Sequence, residues 1–202
     1  RGEFMNEAVP AGEGAMAAIL GMDADALKQV TDKVTEDGHL VQLANLNCPG
    51  QIVISGTAKG VELASEQAKE NGAKRAIPLD VSGPFHSELM KPAADKLKEV
   101  LDSCELKDAD VPVISNVSAD VMTDKADIKE KLIEQLYSPV RFEETVNKLI
   151  AEGVTTFIEI GPGKVLSGLV KKVNRRLKTI AVSDPETIEL AIQTLKEEND
   201  NA

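Results

Sequence analysis

The first eighty residues alternate between strand-like and helix-like stretches in an order that restricts the possible folds. Short runs rich in branched aliphatic residues indicate strands, and apolar residues spaced three or four positions apart indicate helices. The predicted strands are 14–20, 40–46, 51–55 and 73–81, and the predicted helices are 23–34 and 60–70. This β-α-β-β-α-β order predicts a ferredoxin-like small subdomain over residues 11–81.

The residues on either side of this subdomain are predicted to form one larger α/β core. Residues 1–10 read as a short helix, and after residue 81 strands alternate with helices, which favours a parallel sheet with helices on both faces. The predicted strands are 111–117, 155–160 and 178–183, and the predicted helices are one that follows His86, 127–137, 142–152, 164–173 and 185–198. Residues 82–202 are therefore assigned to the same core as residues 1–10. Three strands are few for such a sheet, so we expect that a longer parent carries further strands before Arg1.

Charge and cysteine usage exclude several function classes. The net charge of −11 argues against broad binding to nucleic acid or to anionic membranes. No apolar run approaches the length of a membrane span, and no signal peptide is visible. Cys48 and Cys104 lack metal-ligand spacing, which predicts buried free thiols in a reducing cytoplasm. With no phosphate-binding or dinucleotide motif either, no cofactor is expected.

His86 lies at a predicted junction between a strand and a helix. Gly83 and Pro84 interrupt the strand, because proline lacks a donor and glycine accepts unusual dihedral angles. Junctions of this kind often carry reactive groups in α/β proteins. From these residues alone, a catalytic imidazole and a histidine held by backbone hydrogen bonds at a helix start fit equally well.

Five separated stretches carry a combined signature. They are RGEFM at 1–5 with the AVPAGEGAMAAILG that follows at 8–21, NLNCPGQ at 45–51, GPFHSELM at 83–90, QLYSPV at 135–140 and IEIGPGKVL at 158–166. In this order and spacing they cover nearly the whole chain, and together they resemble the malonyl-CoA:acyl carrier protein transacylases of fatty-acid synthesis. The resemblance implies an α/β-hydrolase-like parallel-sheet core, incomplete here, with a ferredoxin-like insertion.

The resemblance also implies a reaction, namely transfer of a malonyl group from malonyl-CoA to the phosphopantetheine thiol of acyl carrier protein through a serine ester. His86 matches the family's general base, and Gln135 matches the residue whose main-chain oxygen orients that imidazole. The family's Gly-His-Ser-Leu-Gly elbow and Gly-Gln-Gly-Ser oxyanion turn do not occur in the 202 residues. In the family both precede the position of Arg1. The chain alone is therefore expected to be unable to form the acyl-enzyme, and the missing N-terminal segment is an expected partner.

Four further residues match substrate-binding positions of the family. Arg1 matches the arginine that binds the free malonyl carboxylate through two parallel hydrogen bonds. Asn47 and Gln51 match polar residues that line the acyl pocket, although Asn-Cys-Pro-Gly is also typical of a turn. Phe85 matches a bulky residue that would disfavour a methyl branch on the malonyl group. Without the resemblance, Arg1 would be interpreted as an ordinary surface arginine.

A basic cluster stands out on an otherwise acidic chain. Its members are Lys171, Lys172, Arg175, Arg176 and Lys178. Cations at the end of a helix complement the helix dipole, which explains part of this pattern. The functional interpretation is a docking site for acidic acyl carrier protein or for the phosphates of coenzyme A.

Two other functions remain open on the sequence. The chain could come from an acyltransferase domain of a polyketide synthase, although the short acidic end after Leu195 argues against this. Alternatively, the ferredoxin-like half could be a non-catalytic module that binds a small ligand, which would leave the His86 junction without a role. A cytoplasmic, cofactor-free transacylase is the leading hypothesis.

Overall fold

A computed structural model describes the backbone of residues 1–200 and the side chains of residues 1–196. The last two residues of the predicted large core therefore lie outside the described residues. The chain forms two compact units, residues 1–145 and residues 146–202. Within the described part of the chain, no helix is both long enough and apolar enough to cross a membrane.

A four-stranded antiparallel sheet forms most of the first half of unit 1. Its strands are β1 (Gly14–Leu20), β2 (Val41–Cys48), β3 (Gln51–Thr57) and β4 (Arg75–Pro78). The helices of this part are α1 (Gly2–Glu7), α2 (Ala24–Glu36) and α3 (Ala58–Glu70). The strand order in the sheet is β2-β3-β1-β4. The predicted β-α-β-β-α-β order is confirmed, and each strand and helix of this series begins within two residues of its predicted start.

Both faces of this sheet are buried. Alternate residues of β3 point to opposite faces, so Ile52 and Ile54 join the apolar cluster formed with α2 and α3. Leu27, Val30 and Val34 are the buried apolar residues of α2, at the spacing that places them on one helix face. Val53 points to the opposite face of the sheet, where it packs with Met16 and Ala44. Leu79 and Phe85 pack against this second cluster. The face of the sheet opposite the helices is thus turned toward the loop that carries His86.

The edge of β2 is partly covered by the segment around Val140. Asn45 and Val140 form a parallel bridge. The N–H of Leu46 donates to the carbonyl of Val140, and the N–H of Val140 donates to the carbonyl of Ala44, both at 2.8 Å. Because an edge strand presents unpaired main-chain groups, this bridge satisfies two of them and joins β2 to the second half of unit 1.

The second half of unit 1 differs from the sequence prediction at one strand. After a 3₁₀ turn at Glu88–Met90 the elements are α4 (Lys91–Asp102), β5 (Val113–Ile114), β6 (Val121–Met122) and α5 (Lys125–Glu134). The next helix, α6 (Phe142–Ala151), begins in unit 1 and ends in unit 2. The predicted buried strand 111–117 is wrong: β5 has two residues, pairs antiparallel with β6 and leaves Val111 68% exposed. The chain reverses direction because Ala119 has a positive φ of 56° and the N–H of Ser115 donates to the carbonyl of Asp120.

Unit 2 contains a parallel pair of strands with a helix after each strand. The elements are β7 (Thr156–Ile160), α7 (Val165–Val173), β8 (Lys178–Val182) and α8 (Pro185–Asp200). β7 and β8 pair in parallel, which confirms the predicted alternation of strands and helices. The carboxylate of Glu159 accepts hydrogen bonds from the N–H groups of Leu166 and Ser167 at the start of α7. An anion at this end complements the helix dipole.

Candidate active site

His86 lies in the loop between β4 and the 3₁₀ turn, with a left-handed backbone. Its φ is 57°, a conformation that costs a residue other than glycine about 1–3 kcal/mol. Just before it, the N–H of Phe85 donates to the carbonyl of Gly83 at 3.0 Å. The Ser87 hydroxyl donates to the carbonyl of Pro84 at 2.6 Å, so it braces the loop and does not cap the following helix. The conformation of His86 therefore depends on contacts from its surroundings.

The segment that follows α5 holds both the ring and the backbone of His86. The imidazole Nδ1 lies 2.8 Å from the main-chain oxygen of Gln135. The N–H of His86 donates to the next carbonyl, that of Leu136, at 3.1 Å. Because a carbonyl oxygen only accepts hydrogen bonds, Nδ1 carries the proton in a neutral ring and Nε2 keeps its lone pair. In this form Nε2 can accept a proton from a substrate or from a nucleophile.

The surroundings of the ring favour its neutral form. Burial lowers the pKa of His86 and is the largest effect. The carbonyl of Gln135 raises the pKa in part, the positive charge of Arg1 lowers it, and a main-chain hydrogen bond to Ser138 raises it by the smallest amount. Desolvation and a nearby cation both disfavour imidazolium. A neutral imidazole with a fixed tautomer is the form that a general base requires.

Arg1 is the N-cap residue of α1. Its carbonyl accepts from the N–H of Met5 at 3.0 Å, and its side chain is largely exposed. Burial of part of the guanidinium lowers the pKa of Arg1, but an arginine keeps its charge at neutral pH. Its effect on the pKa of His86 shows that the cation and the ring are within electrostatic reach of one another.

Phe85 connects the two apolar clusters next to His86. Its ring is half-buried and packs against the cluster that contains Met5, Met90 and Leu136. The ring also packs against the cluster of Met16, Ala44 and Val53, on the face of the sheet opposite α2 and α3. The side chain therefore has a packing role, and its effect on a methyl branch stays a prediction.

Asn47 and Gln51 lie at the far end of the β2–β3 hairpin. The predicted turn at residues 47–50 is shorter than expected, because β2 continues to Cys48 and only Pro49 and Gly50 form the loop. The Cys48 thiol lies 3.9 Å from Oε1 of Gln51. Asn47 lies in β2 and Gln51 begins β3, and that they line an acyl pocket stays a prediction. The structure brings His86, Gln135 and Phe85 together, with Arg1 near enough for its charge to lower the pKa of His86.

A cavity of about 580 Å³ lies beside this hairpin turn and not at the imidazole. Asp23, Asp25 and Glu143 contribute to its lining, so it does not suit a negatively charged ligand. Among the residues that the structure describes, no three His, Cys, Asp or Glu side chains are grouped so as to hold a metal ion.

One residue at the site carried no signal in the sequence. Gln42 reaches from β2 to the main chain of the His86 loop. In the sequence it is a single polar residue between Val41 and Leu43, which is the pattern of any half-exposed strand. Only the tertiary structure shows that its side chain faces a loop and not solvent.

The comparisons with known proteins agree on one family. Residues 1–201 match a family model described as an acyl transferase domain. The chain is 94% identical over all of its 202 residues to the malonyl CoA-acyl carrier protein transacylase of Bacillus subtilis (strain 168), and it covers 64% of that protein.

Solved structures give the same result. A malonyl CoA-acyl carrier protein transacylase from Clostridium perfringens is 41% identical and superposes with a TM-score of 0.93, over 98% of this chain and 62% of that one. A malonyl-transacylase in complex with its type II PKS acyl-carrier protein is 43% identical, with a TM-score of 0.91 over 96% of this chain and 62% of that one. The chain therefore spans less than two thirds of the length of these relatives.

Proposed function

Because the chain belongs to the acyl transferase domain family, we propose that the protein containing it transfers a malonyl group from malonyl-CoA to the phosphopantetheine thiol of an acyl carrier protein. The observation that carries this proposal is the 2.8 Å contact between Nδ1 of His86 and the carbonyl of Gln135. It leaves Nε2 of a neutral imidazole free to act as a base. The identity of 94% to a protein named for this reaction supports the same assignment.

In the proposed mechanism His86 moves one proton in each half of the reaction. Nε2 accepts the proton of a serine hydroxyl as the serine oxygen attacks the thioester carbon, and it returns that proton to the sulfur of coenzyme A as the carbon–sulfur bond breaks. In the second half Nε2 takes the proton of the carrier thiol and gives it back to the serine oxygen. The resemblance assigns the serine and the oxyanion donors to a segment that precedes Arg1 in the family. Gln135 holds the tautomer, although a carbonyl stabilises imidazolium less than a carboxylate does.

Substrate selection is assigned to the residues that surround the ring. We infer that Arg1 binds the free carboxylate of the malonyl group through two parallel hydrogen bonds. An acetyl group would leave this cation without its partner, so it would react more slowly. Phe85 is proposed to crowd a methyl branch. Asn47 and Gln51 remain predicted pocket residues on the strength of the resemblance alone.

The fold and location that the resemblance implies are part of the proposal. The strand order β2-β3-β1-β4 supports a ferredoxin-like subdomain at residues 11–81. The parallel pair β7 and β8 supports a hydrolase-like core formed by residues 1–10 and 82–202, with the rest of its sheet supplied by a segment outside this chain. Cys48 is buried, whereas Cys104 is exposed, contrary to the prediction that both thiols are buried. Neither cysteine forms a disulfide, which supports a reducing location such as the cytoplasm.

A second candidate is the same transfer in polyketide synthesis. One solved relative is a malonyl-transacylase bound to a type II PKS acyl-carrier protein, so the carrier served by this protein could belong to either pathway. Kinetics with purified carriers of both types would separate the two. A non-catalytic ligand-binding module, in contrast, would give no reason for the fixed tautomer of His86.

The test uses a protein in which this chain is joined to the part of the Bacillus subtilis relative that it does not span. After brief mixing with malonyl-CoA, mass spectrometry measures the rate at which a malonyl adduct forms. His86→Asn is the informative variant because asparagine tolerates a positive φ. We expect the rate to fall by about 10²–10⁴-fold, while His39→Asn serves as a control and leaves the rate unchanged.

Two results would overturn the proposal. An adduct that forms equally fast in the His86→Asn variant would remove His86 from the chemistry. No adduct in the unsubstituted protein would favour the non-catalytic module.

A further inference from the structure

The side chain of Gln42 connects β2 to the main chain on both sides of the imidazole. Its Nε2 lies 3.3 Å from the carbonyl oxygen of His86 and 3.3 Å from the carbonyl oxygen of Tyr137. Its Oε1 accepts a hydrogen bond of 3.0 Å from the N–H of Glu88. One amide group therefore makes three contacts to main-chain atoms around the candidate base.

Only one orientation of this amide satisfies its partners. The two carbonyl oxygens accept hydrogen bonds, so the NH₂ group must face them, and the N–H of Glu88 donates, so the oxygen must face it. A carboxylate in place of the amide would set an anionic oxygen against two carbonyl oxygens. An apolar side chain of similar length would fill the same space without any of the three contacts.

These contacts complete a set that surrounds the left-handed backbone of His86. Three consecutive carbonyls take part on the other side. The carbonyl of Gln135 contacts the ring of His86, and the carbonyl of Leu136 accepts from the N–H of His86. The carbonyl of Tyr137 accepts from the amide of Gln42. Without Gln42 the carbonyl of His86 loses the hydrogen bond given by this side chain. His86 would then keep its hydrogen bonds to Gln135 and Leu136, although its positive φ is uncommon for a residue other than glycine.

We propose that Gln42 is a positioning residue that keeps Nδ1 of His86 directed at the carbonyl of Gln135, and thereby keeps Nε2 aimed at the reacting hydroxyl and thiol. This inference rests on the proposed function for its kinetic consequence. Its structural consequence, a single fixed tautomer at His86, does not depend on malonyl transfer. Gln42 acts through His86, so its removal should lower kcat and leave KM for malonyl-CoA unchanged.

Two substitutions and a matched control separate positioning from stability. Gln42→Met removes all three hydrogen bonds at nearly constant volume, and Gln42→Glu keeps the acceptor for the N–H of Glu88 but removes the donor. The control is Ser55→Ala, because Ser55 is the cross-strand neighbour of Gln42, is fully buried and has a hydroxyl without a hydrogen-bond partner. Chemical denaturation of each protein identifies any general loss of folding.

The measurements are steady-state kinetics and the ¹⁵N NMR signals of the His86 imidazole, both in the joined protein described above. We expect kcat to fall by about 10- to 100-fold in both Gln42 variants, since a displacement of about 1 Å can cost 100-fold, with KM within about twofold of the parent protein. We also expect the Nδ1–H signature of His86 to give way to a mixture of tautomers. Ser55→Ala should change neither readout.

The outcomes distinguish this inference from the proposed function. If the parent protein shows no malonyl transfer, the proposed function fails, and the NMR readout still decides the role of Gln42. An unchanged tautomer and an unchanged kcat in a folded Gln42→Met variant would overturn the inference. Equal losses in Gln42→Met and Ser55→Ala would also overturn it, because they would point to packing of the sheet face.

Discussion

The imidazole of His86 experiences opposing effects from its neighbours. Burial and the charge of Arg1 lower its pKa, while the hydrogen bond to Gln135 raises it in part. The folded protein therefore holds this ring neutral at pH values at which an exposed histidine would already be partly protonated.

This shift predicts the pH dependence of the reaction. The base must be neutral, so activity is lost only as the pH falls through the lowered pKa of His86. We expect the acidic limb of kcat/KM for malonyl-CoA to lie below the ordinary histidine value of about 6.5. The measurement is the pH profile of adduct formation in the joined protein. A limb above that value would contradict the assignment.

A substitution at Arg1 tests the lowered pKa of His86 in a second way. Replacing it by methionine removes the nearby cation, so the pKa of His86 should rise, as measured by NMR titration. The preference for malonyl-CoA over acetyl-CoA should fall by about 10²–10⁴-fold, because the substitution would remove the two charge-assisted hydrogen bonds proposed between Arg1 and the malonyl carboxylate, which contribute about 1.5–3 kcal/mol each. Arg75→Met, on exposed β4, removes the same charge and should change neither quantity.

At the residue scale, the sequence predicted which residues belong to the candidate site but not the backbone conformations they adopt. His86 and Gln135 could be singled out because their motifs resemble those of a known family. The positive φ of His86 could not be predicted from the sequence, since histidine is enriched at positive φ but adopts it in only a small minority of cases. The contact of Gln42 depends on where a strand lies relative to a loop 44 positions away, and local patterns carry no such information.

At the scale of elements, β3 crosses unusually close to β2 at Gly56. A Cβ at this position would lie 2.1 Å from the carbonyl oxygen of Leu40 and 2.6 Å from the Cα of Val41. Both atoms belong to the backbone, so neither can move aside without disturbing the sheet. Gly56 is therefore required for steric reasons, not for its φ.

Two substitutions of glycine by alanine should therefore change the free energy of unfolding in opposite directions. Gly56→Ala should lower the free energy of unfolding by about 2 kcal/mol or more, in the range of overpacked sites. Gly168→Ala, inside α7 with open space around the new methyl group, should raise it by up to about 1 kcal/mol. Urea denaturation measures both. A tolerated Gly56→Ala would show that the two strands can separate cheaply.

Sequence periodicity was most informative for long elements and least informative for short ones. The helices and the sheet strands of residues 14–78 carry enough residues for their spacing to be read, and their packing on one apolar cluster follows from it. The run at 111–117 is too short to separate a buried strand from an extended edge. Three turn residues, Asn116 near the end of this run and Ser118 and Asp120 just after it, are the signal that would have corrected the prediction.

For the whole molecule, the charge distribution matters for the docking of partners. The chain carries a net charge of −11, whereas the basic cluster at residues 171–178 is positively charged. Lys171 donates to the carbonyl of Leu177 just beyond α7, so part of the cluster stabilises the end of this helix. Arg175 and Arg176 are exposed and are the better candidates for contact with an acidic carrier protein.

Reversing both charges tests the docking role. In Arg175→Glu/Arg176→Glu we expect kcat/KM for the carrier protein to fall by about 10-fold or more at low salt, and the difference to shrink as salt screens the charges. Formation of the adduct from malonyl-CoA should not change. The control Lys33→Glu/Lys69→Glu alters the net charge equally at exposed positions of α2 and α3. Slower adduct formation would instead assign the cluster to the phosphates of coenzyme A.

The bridge between Asn45 and Val140 determines how unit 1 can unfold locally. Because the N–H of Leu46 donates to the carbonyl of Val140 and the N–H of Val140 donates to the carbonyl of Ala44, neither amide can reach deuterated solvent unless the bridge separates. The two amides should therefore exchange at one common rate, as members of a single cooperative opening that includes the edge of β2. A motion that released only the segment bearing Gln135 would have to break this link first.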